Sequence, residues 1–327
     1  MVNSLSPSLQ RIVVLGTGGT IAGRAASGGD NIGYTAGQVG VADLLGGIEA
    51  PEGLALAAEQ VAQLDSKDME PGVWLQLARR CAFWLAEADV AGVVITHGTD
   101  TLEETAFFLQ AVLAPDKPVV LTCAMRPASS LSPDGPQNVR DAIAVAATPA
   151  AHGVTVVCAG AIHSAFDVQK VHTYRQDAFA SGDAGPVGYV EEGAVRRLRE
   201  WPEPATSSKI LETGEGAPMQ WPRVEILTSH AGATGAIVDL LLQERATGVA
   251  EPVRGLVLAA TGNGTVHHAL EAAGLRAQDA GVAVLRATRC ASGRILPRPD
   301  DKLRDAGALT PVKARIALML ELIETAA

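Results

Sequence analysis

The sequence predicts an α/β protein with a larger N-terminal parallel-sheet domain and a smaller C-terminal α/β domain. Short apolar runs recur along the chain with helical segments between them. Hydrophobic residues make up 47% but aromatics only 4%, so the core must be built from Val, Leu, Ile and Ala, the mixture that buried parallel sheets favour. At 327 residues the chain can form two domains that each bury a core.

Taken in order, Ile12-Val13-Val14-Leu15, Val93-Val94-Ile95, Val119-Val120-Leu121 and Val154-Thr155-Val156-Val157 read as buried parallel strands alternating with crossover helices. Thr101 and Glu104 have the spacing of a capping box at the head of an apolar helix, so the turn before them lies at the carboxyl end of a strand. From Glu191 to Trp221 the pattern collapses into charged sequence with Pro, Ser and Gly, a linker or long excursion. The expected division is residues 1–198, a linker at 199–221, and residues 222–327. In the last part, Val224-Glu225-Ile226-Leu227, Gly255-Leu256-Val257-Leu258 and Val282-Ala283-Val284-Leu285 suggest a second, smaller parallel sheet. Thr310-Pro311 opens a closing helix whose Val312, Ile316, Met319 and Ile323 share a face.

A formal net charge of −10, with no basic run, argues against nucleic acid as a partner. Cys81, Cys123, Cys158 and Cys290 lack CxxC spacing and read as reduced thiols rather than a zinc site. No stretch reaches the ~20 apolar residues of a membrane helix. The polar start lacks the features of an export signal, so a cytoplasmic protein is expected, and the mature form of a periplasmic one would look the same.

Gly16-Thr17-Gly18-Gly19-Thr20-Ile21-Ala22-Gly23 follows the first strand, where a doubly wound sheet binds ligands. Ile21 occupies the place of the third glycine of a dinucleotide fingerprint, and no acidic residue ends a second strand about 20 residues on. The glycines instead allow close backbone approach and leave Thr17 and Thr20 as side chains with chemistry, or they simply make a tight turn. Thr96-His97-Gly98-Thr99-Asp100-Thr101 repeats the pattern at another strand end, with Asp100 and Thr101 also readable as helix caps. Two such ends on one edge of a parallel sheet can converge on a single pocket. Lys170 reads as a solvated charge by spacing, although a desolvated lysine beside a hydroxyl can serve as a base. The adjacent His267 and His268 cannot face one ion on a helix, and neither H-E-x-x-H nor the G-x-S-x-G nucleophile elbow occurs.

Thr17-Gly18-Gly19-Thr20-Ile21-Ala22-Gly23, Ser66-Lys67-Asp68-Met69, Thr96-His97-Gly98-Thr99-Asp100-Thr101 with Glu103-Glu104-Thr105, and Ala124-Met125-Arg126-Pro127 leading to Asp134-Gly135 resemble the bacterial-type L-asparaginases and glutaminase-asparaginases. The resemblance runs from the first strand to the last helix. It implies hydrolysis of a side-chain amide, with L-asparagine and also L-glutamine as substrates, and no metal or organic cofactor. It implies homotetramers, dimers of dimers, with sites shared between subunits. By resemblance, Thr20 is the nucleophile with Tyr34 as its partner, and Thr99, Asp100 and Lys170 form a second catalytic group. Ser66 and Asp100 would hold the substrate's α-carboxylate and α-amino group, Ala124 would lie beside its amide, and Asn263 would match an intersubunit asparagine.

Two departures stand out. Lys67 follows the substrate-binding serine where the family commonly has glutamine, so it joins the residues expected to bear on substrate. The segment from Gly293 to Asp301 is shorter than the one carrying the family's intersubunit glutamate. Two other functions compete: a non-catalytic amino-acid-binding sensor, and the glutaminase subunit of a tRNA-dependent amidotransferase. The sensor has no use for two activated hydroxyls, and the acidic balance disfavours an RNA partner.

Overall fold

The computed structural model describes residues 9–27, 29–203, 209–212 and 219–325. The chain forms two compact units, Met1–Leu211 and Glu212–Ala327.

The strands of the first unit are β1 (Gln10–Gly18), β2 (Arg24–Ala25), β3 (Tyr34–Thr35), β4 (Leu54–Leu64), β5 (Val90–Thr96), β6 (Val119–Thr122), β7 (Val154–Cys158), β8 (Ala161–Ser164), β9 (Gln169–Lys170), β10 (Phe179–Ala180), β11 (Gly188–Glu191) and β12 (Ala194–Arg197). Its helices are α1 (Val41–Leu44), α2 (Pro71–Ala86), α3 (Leu102–Leu113) and α4 (Gly135–Ala146). An eight-stranded sheet has the order β12-β11-β8-β7-β6-β5-β1-β4. The five strands β4, β1, β5, β6 and β7 are parallel, and β8, β11 and β12 extend the sheet antiparallel. Ile12, Val14, Val94, Val120 and Val157 pack with Val139, Ala142 and Ile143 of α4 on one face. Val13, Leu15, Val93 and Ile95, which alternate to the other face, are fully buried as well. Burial on both faces explains why these strands read as unbroken apolar runs.

The antiparallel extension and β4 left no such run. β4 is an edge strand whose Ala, Gln and Glu positions are only partly covered. The β7–β8 turn uses Ala159 and Gly160 at φ of 49° and 75°, without the Asn-Gly or Asp-Gly pair that marks such turns. The excursion read from Glu191 onward begins later, because β12 continues the sheet and Trp201 is buried in the first unit's core. Residues 204–208 and 213–218 of that stretch lie outside the described residues. The capping box does not form: Thr101 occupies the N-cap of α3 without a side-chain cap bond, since its hydroxyl donates to the Ser66 carbonyl at 2.7 Å.

In the second unit, β13 (Arg223–Thr228), β14 (Val253–Ala260), β15 (Ala283–Thr288) and β16 (Arg304–Asp305) form a parallel sheet in that order, with helices α5 (Ala236–Ala246), α6 (His268–Asp279) and α7 (Pro311–Glu324). Thr310 caps α7 by accepting the Lys313 N–H at 3.4 Å. Two of the four residues of the expected face, Ile316 and Met319, are buried, while Val312 and Ile323 are only half-buried; Ala314 and Leu318 join Met319 in the sheet cluster with Leu322 packed against it. The small Ala314 side chain lets α7 approach the sheet along the 314, 318, 322 ridge.

Gln110 of α3 ties the sheet to the segment bearing Trp201. It is fully buried, its Oε1 accepts the Val154 N–H at 2.7 Å, and its Nε2 donates to the Glu203 carbonyl at 2.8 Å. Gln110→Leu would strand the buried Val154 N–H and release the Glu203 carbonyl, so urea unfolding is expected to show a loss of about 1–3 kcal/mol; an unchanged midpoint would contradict this.

Candidate active site

Glycines bring the carboxyl ends of three neighbouring strands together. After β1, Gly18 and Gly19 have φ of 100° and 80°, and the Gly19 N–H donates to the Leu64 carbonyl at the end of β4 at 2.9 Å. A Cβ on Gly19 would collide with the backbone of Gly98, which follows β5, and one on Gly98 would collide with the Ser66 hydroxyl. No larger residue fits either place. Thr20, Ser66 and Thr99 are therefore set side by side at one sheet edge.

Thr20 lies in a short 3₁₀ turn, 6% exposed, with its Oγ1 2.6 Å from the Tyr34 hydroxyl. The β2–β3 hairpin places that tyrosine, pairing Ala25 with Tyr34, and a Cβ on Gly23 would meet its ring. The hairpin is tied to the turn after β6: the Ala25 N–H donates to Ser129 Oγ at 2.8 Å and the Ala128 N–H to the Gly23 carbonyl at 3.0 Å. Thr17 has a structural use, donating to the Thr96 carbonyl at 2.9 Å.

Thr99, also 6% exposed, accepts a hydrogen bond from Lys170 Nζ at 2.8 Å, and the same ammonium contacts Asp100 Oδ1 at 2.7 Å. Lys170 reaches them from β9, where its own N–H donates to Glu103 Oε1 at 3.2 Å. The lysine that looked solvated by spacing is thus mostly enclosed, its side chain 19% exposed. Ser66 is buried, and its Oγ accepts the Asp100 N–H at 3.2 Å.

Lys67 turns outward, pairing with Asp65 at 2.6 Å and Asp68 at 3.2 Å. Those hydrogen bonds, Asp65 first, hold its proton more firmly than usual. Ala124 is fully buried just beyond β6, in a turn stapled by Asp134, which accepts the Met125 and Arg126 N–H groups at 3.0 Å each. Asn263 belongs to the second unit and is exposed; its amide donates to the Leu296 carbonyl at 3.0 Å and accepts the Leu296 N–H at 2.7 Å. That bidentate clasp holds the segment from Gly293 to Asp301 at Leu296.

Sequence reasoning gave no role to His97, although it lies inside a quoted motif. Its ring is completely buried, with Nδ1 2.7 Å from the Gly98 carbonyl and Nε2 2.9 Å from Thr105 Oγ1, which in turn accepts from Trp74 Nε1 at 2.8 Å. Burial, which penalises the imidazolium, lowers its pKa to about 4.

Residues 11–203 match the family described as asparaginase, N-terminal, and residues 223–326 match the glutaminase/asparaginase C-terminal domain. The chain is 35% identical to L-asparaginase 2 of Bacillus subtilis over 97% of its length and 84% of that protein's. It is 36% identical to a glutaminase-asparaginase of Pseudomonas fluorescens, covering 97% of this chain and 87% of that one. The crystal structure of a probable cytoplasmic L-asparaginase from Campylobacter jejuni superposes with a TM-score of 0.87 at 35% identity, covering 97% of this chain and 96% of that one. Fold and relatives together define an amidohydrolase of the L-asparaginase type. The chain belongs to the asparaginase family, in which it carries both the N-terminal and the C-terminal domain.

Because the unfolded chain binds the His97 proton near pH 6.5 and the folded one only near 4, this group's contribution to stability is complete above pH 6.5. It is lost as pH falls through that window, on the order of 3 kcal/mol by pH 4. Unfolding free energies measured at pH 7 and 4.5 should differ less in His97→Asn than in wild type; equal differences would contradict the assignment.

Proposed function

We propose that the chain hydrolyses L-asparagine to L-aspartate and ammonia through an acyl-enzyme on Thr20, with L-glutamine as a secondary substrate. The observation that carries this reading is the pair of enclosed hydroxyls, each with its own proton partner: Thr20 against Tyr34, and Thr99 against Lys170 and Asp100. A threonine hydroxyl is a weak nucleophile until a neighbour takes its proton. Tyr34, 2.6 Å away, is placed to relay it as Thr20 Oγ1 attacks the side-chain carbonyl carbon. The oxyanion of the tetrahedral adduct then needs N–H donors, and the glycine-rich turns leave backbone free to supply them.

Collapse of the adduct breaks the C–N bond, and ammonia leaves with a proton returned to it. An aspartyl ester remains on Thr20. In the second half the oxygen of a water oriented by Thr99 bonds to the ester carbon and the ester C–O bond breaks; the water's proton, handed on within the Thr99, Lys170 and Asp100 group held at 2.8 and 2.7 Å, ends on Thr20 Oγ1 as L-aspartate leaves. Ser66 and Asp100 would hold the amino-acid end of the substrate and Ala124 would flank the amide.

We also propose a homotetrameric dimer of dimers in which Asn263 of a neighbouring copy completes each site. The family resemblance supports this assembly, as do the exposure of Asn263 and its bidentate hold on the Leu296 backbone. Cytoplasmic residence is supported by the name of the Campylobacter relative and by four cysteines all present as free thiols, whereas a Haemophilus influenzae relative is named as periplasmic. No helix among the described residues is long and apolar enough to cross a membrane.

Ammonia release from L-asparagine, L-glutamine and D-asparagine, assayed with wild type beside Thr20→Ala and Thr99→Ala, tests the reaction. Removing either hydroxyl should lower kcat on L-asparagine by at least about 10³-fold, the scale of losing a nucleophile or its activating base; ammonia from none of the three with folded wild type would sink the proposal. The outward pairing of Lys67 leads to a milder expectation. Lys67→Gln should move KM for L-asparagine by less than about fivefold, since an exposed ion pair contributes about 1 kcal/mol at most; a larger change would mean that the ammonium reaches substrate.

A further inference from the structure

Behind the second hydroxyl centre runs a chain of buried hydrogen bonds whose direction is set at the Gly98 carbonyl. An indole nitrogen can only donate. Trp74, 3% exposed, gives its Nε1–H to Thr105 Oγ1 at 2.8 Å, and Thr105, fully buried, lies 2.9 Å from His97 Nε2. Thr105 supplies the proton of that second contact if Nε2 is bare. His97 then carries its hydrogen on Nδ1, where it meets the Gly98 carbonyl at 2.7 Å. The opposite tautomer would set the Nδ1 lone pair against the carbonyl oxygen at the same distance, two acceptors with no hydrogen between them. The Gly98 carbonyl, which can only accept, therefore demands this tautomer, and Thr105 can donate to Nε2 while accepting from Trp74.

The Gly98 carbonyl belongs to the peptide that joins Gly98 to Thr99. In a trans peptide the C=O and the following N–H point in opposite directions, so a carbonyl held against the buried ring sends the Thr99 N–H away from the interior. Among the described residues nothing accepts a hydrogen bond from that N–H, while the next one, on Asp100, is taken by Ser66. Gly98 itself is wedged between Gly19 and Ser66, so the peptide's rotation is the freedom that remains for a side chain to govern.

We propose that His97 is a positioning residue: protonated on Nδ1 and held at Nε2 by the Thr105 hydroxyl, it grips the Gly98 carbonyl and aims the Thr99 N–H at the oxyanion of the adduct. The proposal rests on the reading of Thr99 as part of the site. His97 touches neither substrate nor the reacting atoms. Its contribution belongs to the transition state, because the donor it aims is needed most when charge develops on the amide oxygen.

The test compares His97→Leu, which removes the donor, with His97→Asn, whose amide nitrogen can stand where Nδ1 stood. His97→Leu should lower kcat on L-asparagine by roughly three- to tenfold, the worth of one hydrogen bond, with KM within about twofold, and His97→Asn should recover most of the loss. Equal losses in the two variants, a change confined to KM, or an unchanged kcat in folded His97→Leu would overturn the proposal. Nitrogen-15 NMR of the His97 ring gives a reading independent of activity and of how the variants fold. The wild type is expected to show a protonated Nδ1 and a bare Nε2; a ring protonated on Nε2 would refute the mechanism outright. Thr99→Ala assayed alongside separates the two levels. If it retains full activity, the site reading itself fails, and if it is inactive while His97→Leu is not, only the positioning role does.

Discussion

The contact on which the active edge depends is backbone against backbone. Gly19 and Gly98 meet where no Cβ could be accommodated on Gly19, closing the seam between β1 and β5 beyond the last ladder bond. A parallel sheet spaces its strands roughly 4.8 Å apart, and side chains at the strand ends normally splay the following turns. Here the absence of side chains lets the turns fold over the edge. Thr20 and Thr99, each one residue beyond a contacting glycine, are carried to the same place, and Ser66 is brought in because Gly98 also rests on it. The two threonines and the serine are thus positioned by main chain, the least mobile part of the structure.

The two hydroxyls are enclosed to the same degree but have different kinds of partner. Thr20 faces a phenol on the short strand β3, and the β2–β3 hairpin is held to the turn after β6 by bonds with Ser129 and Ala128. Thr99 faces Lys170, on the equally short β9–β10 hairpin, and Asp100, in the turn between β5 and α3. Both hydroxyls are therefore met by a side chain from a small hairpin outside the main sheet, and only Asp100 comes from the turn that carries Thr99 itself.

Most of the central sheet could be read from sequence because it is buried on both faces: the runs at β1, β5, β6 and β7 are apolar without alternation and bounded by turn residues. The parts that escaped lack that signature. β4 is a half-covered edge, and the antiparallel β8, β11 and β12 are short and joined by turns such as Ala159-Gly160, whose φ values no residue type announced. The site divides the same way. Thr20, Thr99 and Asp100 stood out because glycine flanks a hydroxyl at a strand end, which has a local reading. Lys170 carries no such mark; it lies 70 residues from Asp100 along the chain, and only the β9–β10 hairpin shows that it is enclosed.

Thr101 and His97 show how local rules fail at such a site. Thr101 has the spacing of a capping residue, and its helix begins where that spacing places it, yet its hydroxyl holds the Ser66 carbonyl instead of the helix's first N–H groups. A cap worth about 1 kcal/mol has been exchanged for a tie that fixes the turn bearing Ser66. His97 likewise gives up an accessible imidazolium to remain neutral in the interior, where its ring bonds to the peptide ahead of Thr99. In both cases a side chain with an ordinary use elsewhere is committed to orienting backbone. Such commitments depend on contacts made by residues distant in sequence, Ser66 in one case and Trp74 in the other, so no window of local sequence contains them.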